Sequence, residues 1–269
     1  APTSPPPGGT PPAPPPVNPT PVSTTAPAPP GPPLKAEVDL LKLMQPESSG
    51  HQSSWKRDGT DVVCEVYSGP CPRLLVPFAP PEEYDIVGSM IPQANNLHWT
   101  IGLVVAGRNV LIGFNEFQTG LEGVDGKAWQ DGANPSFFGN HLFGKDEPTE
   151  VSIAVRKGRV FAAINGRPTV DFVGEANRIA ALTPDWAAAP GQLFVGGQTG
   201  TRFTKLVVGP PTLKLPALPS PVNVAAAFDK DRNAVEGEFT SGRGEILVNG
   251  LPNKWSRLSF DVPRTSEYD

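Results

Sequence analysis

The 269-residue chain has no run of about 18 apolar residues, so no segment reads as a membrane-spanning helix. It also has no basic block. Lys and Arg number 22 against 27 Asp and Glu, a net charge of −5, which argues against nucleic acid as a partner. Histidine is scarce, and His51, His98 and His141 have no neighbours at metal-ligand spacing, so neither a metal nor a cofactor is expected. No Ser stands in a Gly-x-Ser-x-Gly elbow. Cys64 and Cys71 are the only cysteines. An even count fits one short-loop disulfide in an oxidising compartment, and two half-buried thiols are the other reading. The chain opens on Ala1 rather than Met, as expected of a mature secreted or surface chain whose signal peptide has been removed, or of an excised segment.

What the chain has in excess is proline and glycine, 35 and 28 residues. Residues 1–33 hold sixteen Pro, seven Ser or Thr and no charge. Such a stretch cannot bury a core and is expected to be extended, as polyproline II or a flexible linker. Thr3, Ser4, Thr10, Thr20, Ser23, Thr24 and Thr25, interleaved with proline, make it a candidate O-glycosylated stalk. The expectation is that it lies against protein or sugar rather than free in solvent.

The clearest structural signal is the stretch Thr149–Val173. Val151, Ile153 and Val155 alternate with polar or small residues; so do Val160, Ala162 and Ile164, then Val170 and Phe172. Period-two alternation marks strands with one buried face. The connections are Arg156-Lys157-Gly158-Arg159 and Asn165-Gly166, the latter a strong type I′ hairpin signal. A three-stranded meander follows, with Val151, Ile153, Val155, Val160, Ile164 and Phe172 facing a core. Further short strands are expected at Asp61–Tyr67, Arg73–Val76, from Glu83 to Met90, His98–Val105, Val110–Asn115, around Phe194 and at Phe203–Val208, about ten or eleven in all. Val38–Leu43 reads as an opening strand or a short helical turn, and the loop Asn177–Pro190 carries Trp186. With no convincing helix, residues 34–209 read as an all-β, two-sheet antiparallel sandwich with under a tenth helix. Asp61–Tyr67 and Arg73–Val76 are expected to pair as a hairpin, bringing Cys64 and Cys71 together.

Five pieces resemble the concanavalin A-like or laminin-G-like jelly-roll domains of large secreted bacterial proteins. They are Trp55…Gly59, Pro80-Pro81-Glu82-Glu83-Tyr84-Asp85, Ile101–Val105, Ala154–Val160 with Asn165-Gly166, and Phe203. The resemblance spans about residues 36–209 and implies a fold that hosts lectins, hydrolases and inert spacers alike. The Glu-x-Asp-x-x-Glu strand motif of the laminarinase-like enzymes on that fold is absent, and no paired carboxylates stand out, so an enzyme is not expected.

Beyond the sandwich, residues 210–221 read as a second Pro-rich linker and 222–269 as the opening of a second, similar β domain. Asp61–Asp85 and Glu245–Asp269 align without a gap at an offset of 184, matching Arg73-Leu74 with Arg257-Leu258 and Glu83-Tyr84-Asp85 with Glu267-Tyr268-Asp269. In the second copy Val248 and Trp255 replace the cysteines.

These features support two expectations of function. One is an extracellular structural unit that self-assembles into a homo-oligomer or fibre. The alternative is a carbohydrate-binding module with a glycan partner, and a glycosidase relative ranks third. For glycan binding the candidates are Asn115, Glu116, Asp125 and Trp129, in a loop Asn115–His141 that also holds Asn134, Phe137 and Phe138. Aromatic faces stack on sugar rings and Asn, Asp or Glu meet hydroxyls, although Trp129 and the Phe pair can equally anchor a long loop.

Overall fold

A computed structural model describes residues 29–46, 54–65, 72–95, 97–180, 182, 190–218, 234–236, 238–242, 245–249 and 257–258. Residues 1–28 with the stalk Ser and Thr, Cys71 and Trp186 therefore lie outside the described residues. The chain forms two units, Ala1–Leu215 and Pro216–Asp269, described separately below.

In the first unit the elements are, in order, β1 Val38–Asp39, α1 Leu40–Leu43, β2 Trp55–Asp58, β3 Asp61–Cys64, β4 Arg73–Val76, β5 Tyr84–Pro92, β6 Trp99–Val105, β7 Arg108–Phe114, β8 Gln118–Leu121, β9 Phe138–Gly139, β10 Thr149–Arg156, β11 Arg159–Ile164, β12 Arg167–Val173, β13 Leu193–Gly197 and β14 Thr201–Gly209. With 48% strand and 4% helix among the described residues, the fold is all-β. Sheet A has the order β12-β11-β10-β5-β14-β3-β2, with β1 also on β14, and sheet B has the order β4-β13-β6-β7-β8-β9; every pairing is antiparallel.

The inner faces follow the alternation read from the sequence. Val151, Ile153, Val155, Val160, Ile164 and Phe172 are all buried, and they pack in one cluster with Trp99, Ile101, Leu103, Ile112 and Phe114 of sheet B. Trp99 stacks on Phe114 at 4.0 Å and meets Phe203 edge-on at 6.0 Å, so aromatic rings from both sheets interlock. The β11–β12 turn is the expected Asn165-Gly166, with φ of 49° and 76° as a type I′ turn demands. The β6–β7 turn is shorter than the gap between the strands expected at His98–Val105 and Val110–Asn115. Ala106 and Gly107 occupy it with φ of 49° and 74°, because Val105 pairs with Arg108 and keeps Arg108 in the strand.

Two further expectations are corrected. Strands β3 and β4 do not form a hairpin: β3 pairs with β2 and β14 in sheet A, and β4 with β13 in sheet B. A strand has two edges, and both of those on β3 are taken. Cys64 is buried on the inner face, its Sγ 3.5 Å from the Gly197 carbonyl oxygen. Among the described residues of this unit the strand count rises to fourteen, because the stretch from Gln118 to Gly139 contributes β8 and β9 and because Trp55–Asp58 is a strand in its own right. Val38–Leu43 is both strand and helical turn. Asp39 Oδ1 accepts from Leu41 N at 3.1 Å to start α1, and the Arg57 guanidinium donates to the Leu41 and Met44 carbonyls, each at 2.7 Å, to close it.

Chain also lies along the outside of the sandwich. Gly31 N donates to Pro80 O at 2.8 Å, and a side chain at Gly31 would collide with the Ala79 carbonyl. Residues 210–215, read as the start of a linker, form a strap on the outer face of sheet A. The Asp85 carboxylate, 4% exposed, accepts from Thr212 N at 2.6 Å and Leu213 N at 2.7 Å and pairs with Arg156 at 2.7 Å. Leu213 and Leu215 pack on Ala154, Phe161 and Ala163 beside this clamp.

In the second unit β15 Ala234–Glu236 pairs with β18 Arg257–Leu258, and β16 Glu238–Gly242 forms a hairpin with β17 Glu245–Asn249.

The two sheets of the first unit are tied by Tyr84. From β5 in sheet A its hydroxyl accepts from Val104 N at 2.9 Å and donates to Val104 O at 3.2 Å, on β6 of sheet B. Tyr84→Phe leaves both Val104 groups buried without this partner, at about 1–3 kcal/mol each, so the urea midpoint should fall by a large fraction of the total stability. Burial pushes the Tyr84 phenol above its ordinary value of about 10. The unfolded chain therefore ionises first. The contribution of the neutral phenol is fully present below pH about 10 and is lost as pH rises toward the folded value. Urea midpoints at pH about 8 and about 11 should show an alkaline loss that is smaller in Tyr84→Phe.

Candidate functional site

The four residues singled out from the sequence do not form one site. Asn115 and Glu116 belong to the turn between β7 and β8, where Asn115 N donates to Gln118 O at 2.8 Å. Asn115 Oδ1 accepts from Phe117 N at 2.8 Å, a side-chain mimic of a backbone turn that suits Asn in this place. The segment after β9 lies alongside: Asn140 N donates to Phe117 O and Leu142 N to Glu116 O, both at 2.8 Å. These bonds push the Phe117 ring outward. It is 48% exposed, and the His141 imidazole lies edge-on to it at 5.6 Å. His141 Nε2 stands 3.8 Å from Glu116 Oε1. One exposed ring, an imidazole and a carboxylate thus share a small surface, and the Asn140 side chain adjoins the imidazole, its Oδ1 accepting from His141 N at 2.8 Å.

Asp125 has another role. Its carboxylate takes Arg178 Nε at 3.0 Å and Nη2 at 2.5 Å, and its backbone N donates to Arg178 O at 2.8 Å. The guanidinium beside it holds the Asp125 carboxyl below the usual range. Arg178 also lies 5.5 Å over the Phe172 ring. Asp125 therefore ties its loop to the segment following β12. Among the described residues no three His, Cys, Asp or Glu gather where a metal could bind.

Trp129 is 7% exposed, so its face is not open for stacking. The reason is a row of residues across sheet B. Gly196 opposes Thr100, Thr100 opposes Gly113, and Gly113 opposes Gly120. Without side chains at 113 and 120 the sheet has a trough, and the Trp129 indole fills it; a Cβ at Gly113 would lie 2.4 Å from the ring. Leu111 and Phe194 complete the cluster, with His98 edge-on at 5.9 Å. Burial holds the His98 imidazole below its ordinary value. Buried Asn134 secures the loop from beneath. Its Nδ2 donates to the Leu121 carbonyl at 2.8 Å and its Oδ1 accepts from Ser136 N and Oγ at 2.8 and 2.7 Å. Of the two readings of this loop, anchor or platform, Trp129 is placed as an anchor.

Phe117 and Asn140 were not singled out by sequence reasoning. The signal for Phe117 was a large apolar residue directly after Asn-Glu at a turn, where burial is not available.

No protein-family model and no curated protein matches the sequence. Among solved structures, a carbohydrate-binding module from Bacillus subtilis is 9% identical, with a TM-score of 0.40, over 58% of this chain and 90% of that one. Sheep galectin-11 is 11% identical, with a TM-score of 0.33, over 52% and 99%. A Bacillus subtilis protein of unknown function with a galectin-like fold is 10% identical, with a TM-score of 0.38, over 64% and 96%. At these values the likenesses assign neither ligand nor activity, and the sandwich rests on the strand pairing above.

Truncating Trp129 to Ala empties the trough and should cost about 3–5 kcal/mol, read as a fall in the denaturation midpoint. Phe117→Ala removes an exposed ring and should leave that midpoint within about 0.5 kcal/mol of the parent.

Proposed function

We propose that the first unit is an extracellular glycan-binding module whose contact surface is the β7–β8 turn with its neighbour strand end. The observation that carries this is the outward Phe117 ring, 48% exposed, flanked by Glu116, Asn140 and His141. A saccharide has an apolar C–H face and a rim of hydroxyls. An exposed phenyl ring with an imidazole at its edge, and a carboxylate and an amide beside that imidazole, offers both kinds of contact. The backbone bonds that hold the turn fix the ring before any ligand arrives, which lowers the ordering cost of binding. The surface brings one carboxylate, Glu116, whereas glycoside hydrolysis ordinarily uses two across the bond, so binding rather than cleavage is its chemistry.

The test is a glycan array probed with the full chain. At least one glycan class should be retained, and Phe117→Ala and Glu116→Gln should each weaken it about tenfold or more with an unchanged melting temperature. Absence of binding, or full binding by Phe117→Ala, defeats the reading.

A scaffold role in a self-assembling fibre has its own support in the clamped strap, because Asp85 and Arg156 make 210–215 part of the sandwich rather than a loose tether. Sedimentation velocity should then show growth of the assembly with concentration. A chain that stays monomeric at high concentration counts against the fibre.

A further inference from the structure

The hairpins of the two units share a register. In the first, Trp55 pairs with Cys64, Lys56 with Val63, Arg57 with Val62 and Asp58 with Asp61. In the second, Phe239 pairs with Val248, Thr240 with Leu247, Ser241 with Ile246 and Gly242 with Glu245. Each residue of the second set lies 184 positions after its counterpart in the first, the same offset that superposes the two Glu-Tyr-Asp triplets. The match extends one pair further. Glu65 N donates to Ser54 O, and at the same offset Glu238 pairs with Asn249. A one-residue slip would turn every side chain to the other face, so agreement over five consecutive pairs is a strong constraint.

The triplet itself has defined work in the first unit. Glu83 Oε1 accepts from Lys157 N at 2.9 Å, Tyr84 bridges the sheets, and Asp85 clamps the strap. Recurrence of Glu267-Tyr268-Asp269 repeats the residue types that carry all three jobs. One pairing differs: β18, the counterpart of the start of β4, pairs with β15, whereas β4 pairs with β13.

We infer that residues 222–269 carry the opening of a second sandwich of the same kind, and that the edge of β17 is a docking edge for an antiparallel strand with the pattern of β14. In the first unit the second edge of β3 is filled by β14, with Phe203 opposite Val62 and Arg202 opposite Val63. The counterparts on β17 are Ile246 and Leu247, again two apolar residues in a row. Among the described residues β17 pairs with β16 alone. An open strand edge binds an extended segment through main-chain hydrogen bonds, and side chains set the preference. This interaction is independent of the glycan surface.

The test uses the full chain and a labelled peptide of residues 199–209, with a scrambled peptide of the same composition as control. The native peptide should bind saturably and slow amide exchange across 245–249, and the scrambled one should bind at least tenfold more weakly. No saturable binding, equal binding of the scrambled peptide, or protection confined to β2 and β3 overturns the inference. Protection of 245–249 that grows with concentration of the chain alone also overturns it, since a second copy is then the occupant.

Discussion

The Tyr84 hydroxyl is a polar bridge on which the geometry of the sandwich turns. Two sheets whose facing residues are Val, Ile, Leu and aromatics attract each other without direction. They could slide by a residue pair and lose little area. A phenol that must meet both the N–H and the C=O of one residue, Val104, permits one alignment of β5 against β6. Trp99, stacked on Phe114 and edge-on to Phe203, then has one place to go. The residue after this bridge, Asp85, points the other way and clamps the strap, so two successive side chains of β5 fix the inside and the outside of the unit together.

Both outer faces use the same device, an apolar segment laid over small side chains. On sheet A the alanines Ala154 and Ala163 leave room for Leu213 and Leu215; on sheet B Gly113 and Gly120 leave room for Trp129. Each is completed by a buried polar anchor: Asp85 holding two backbone N–H groups, Asn134 holding carbonyls and Ser136. Buried polar groups of this kind are costly unless fully paired, and paired they specify a single arrangement. The consequence for function is that the broad face of sheet B is occupied by the protein itself. The exposed ring of this sheet sits instead at the rim, where the β7–β8 turn projects Phe117.

Glycan binding and strand docking would serve one another in a surface protein built of successive sandwiches. A module with a single shallow contact binds weakly, and a series of modules on one chain raises the effective concentration of each after the first has bound.

Much of the fold was legible in the sequence because it depends on local rules. Alternation over Val151–Phe172 named the core face of the meander, and Asn165-Gly166 named its turn. The hairpin register of the second unit was implicit in an offset of 184 residues. Tertiary structure alone decided what depends on which distant edge or trough is free. Strand β3 was expected to pair with the strand that follows it, but its edges went to β2, which precedes it, and to β14, whose Phe203 lies far along the chain, so the supposed hairpin with β4 never forms. Trp129 read as either a sugar platform or a loop anchor, because a tryptophan in a polar loop can face either way. Two glycines on neighbouring strands turned it inward. Phe117 ended outward for the converse reason: a three-residue turn held by Asn115 has no neighbouring hollow to receive it. Periodicity and turn chemistry are properties of adjacent residues and can be read from order alone. Whether an aromatic ring is buried depends on the volume missing from a surface assembled by remote strands, and that volume exists only once the sheets have formed.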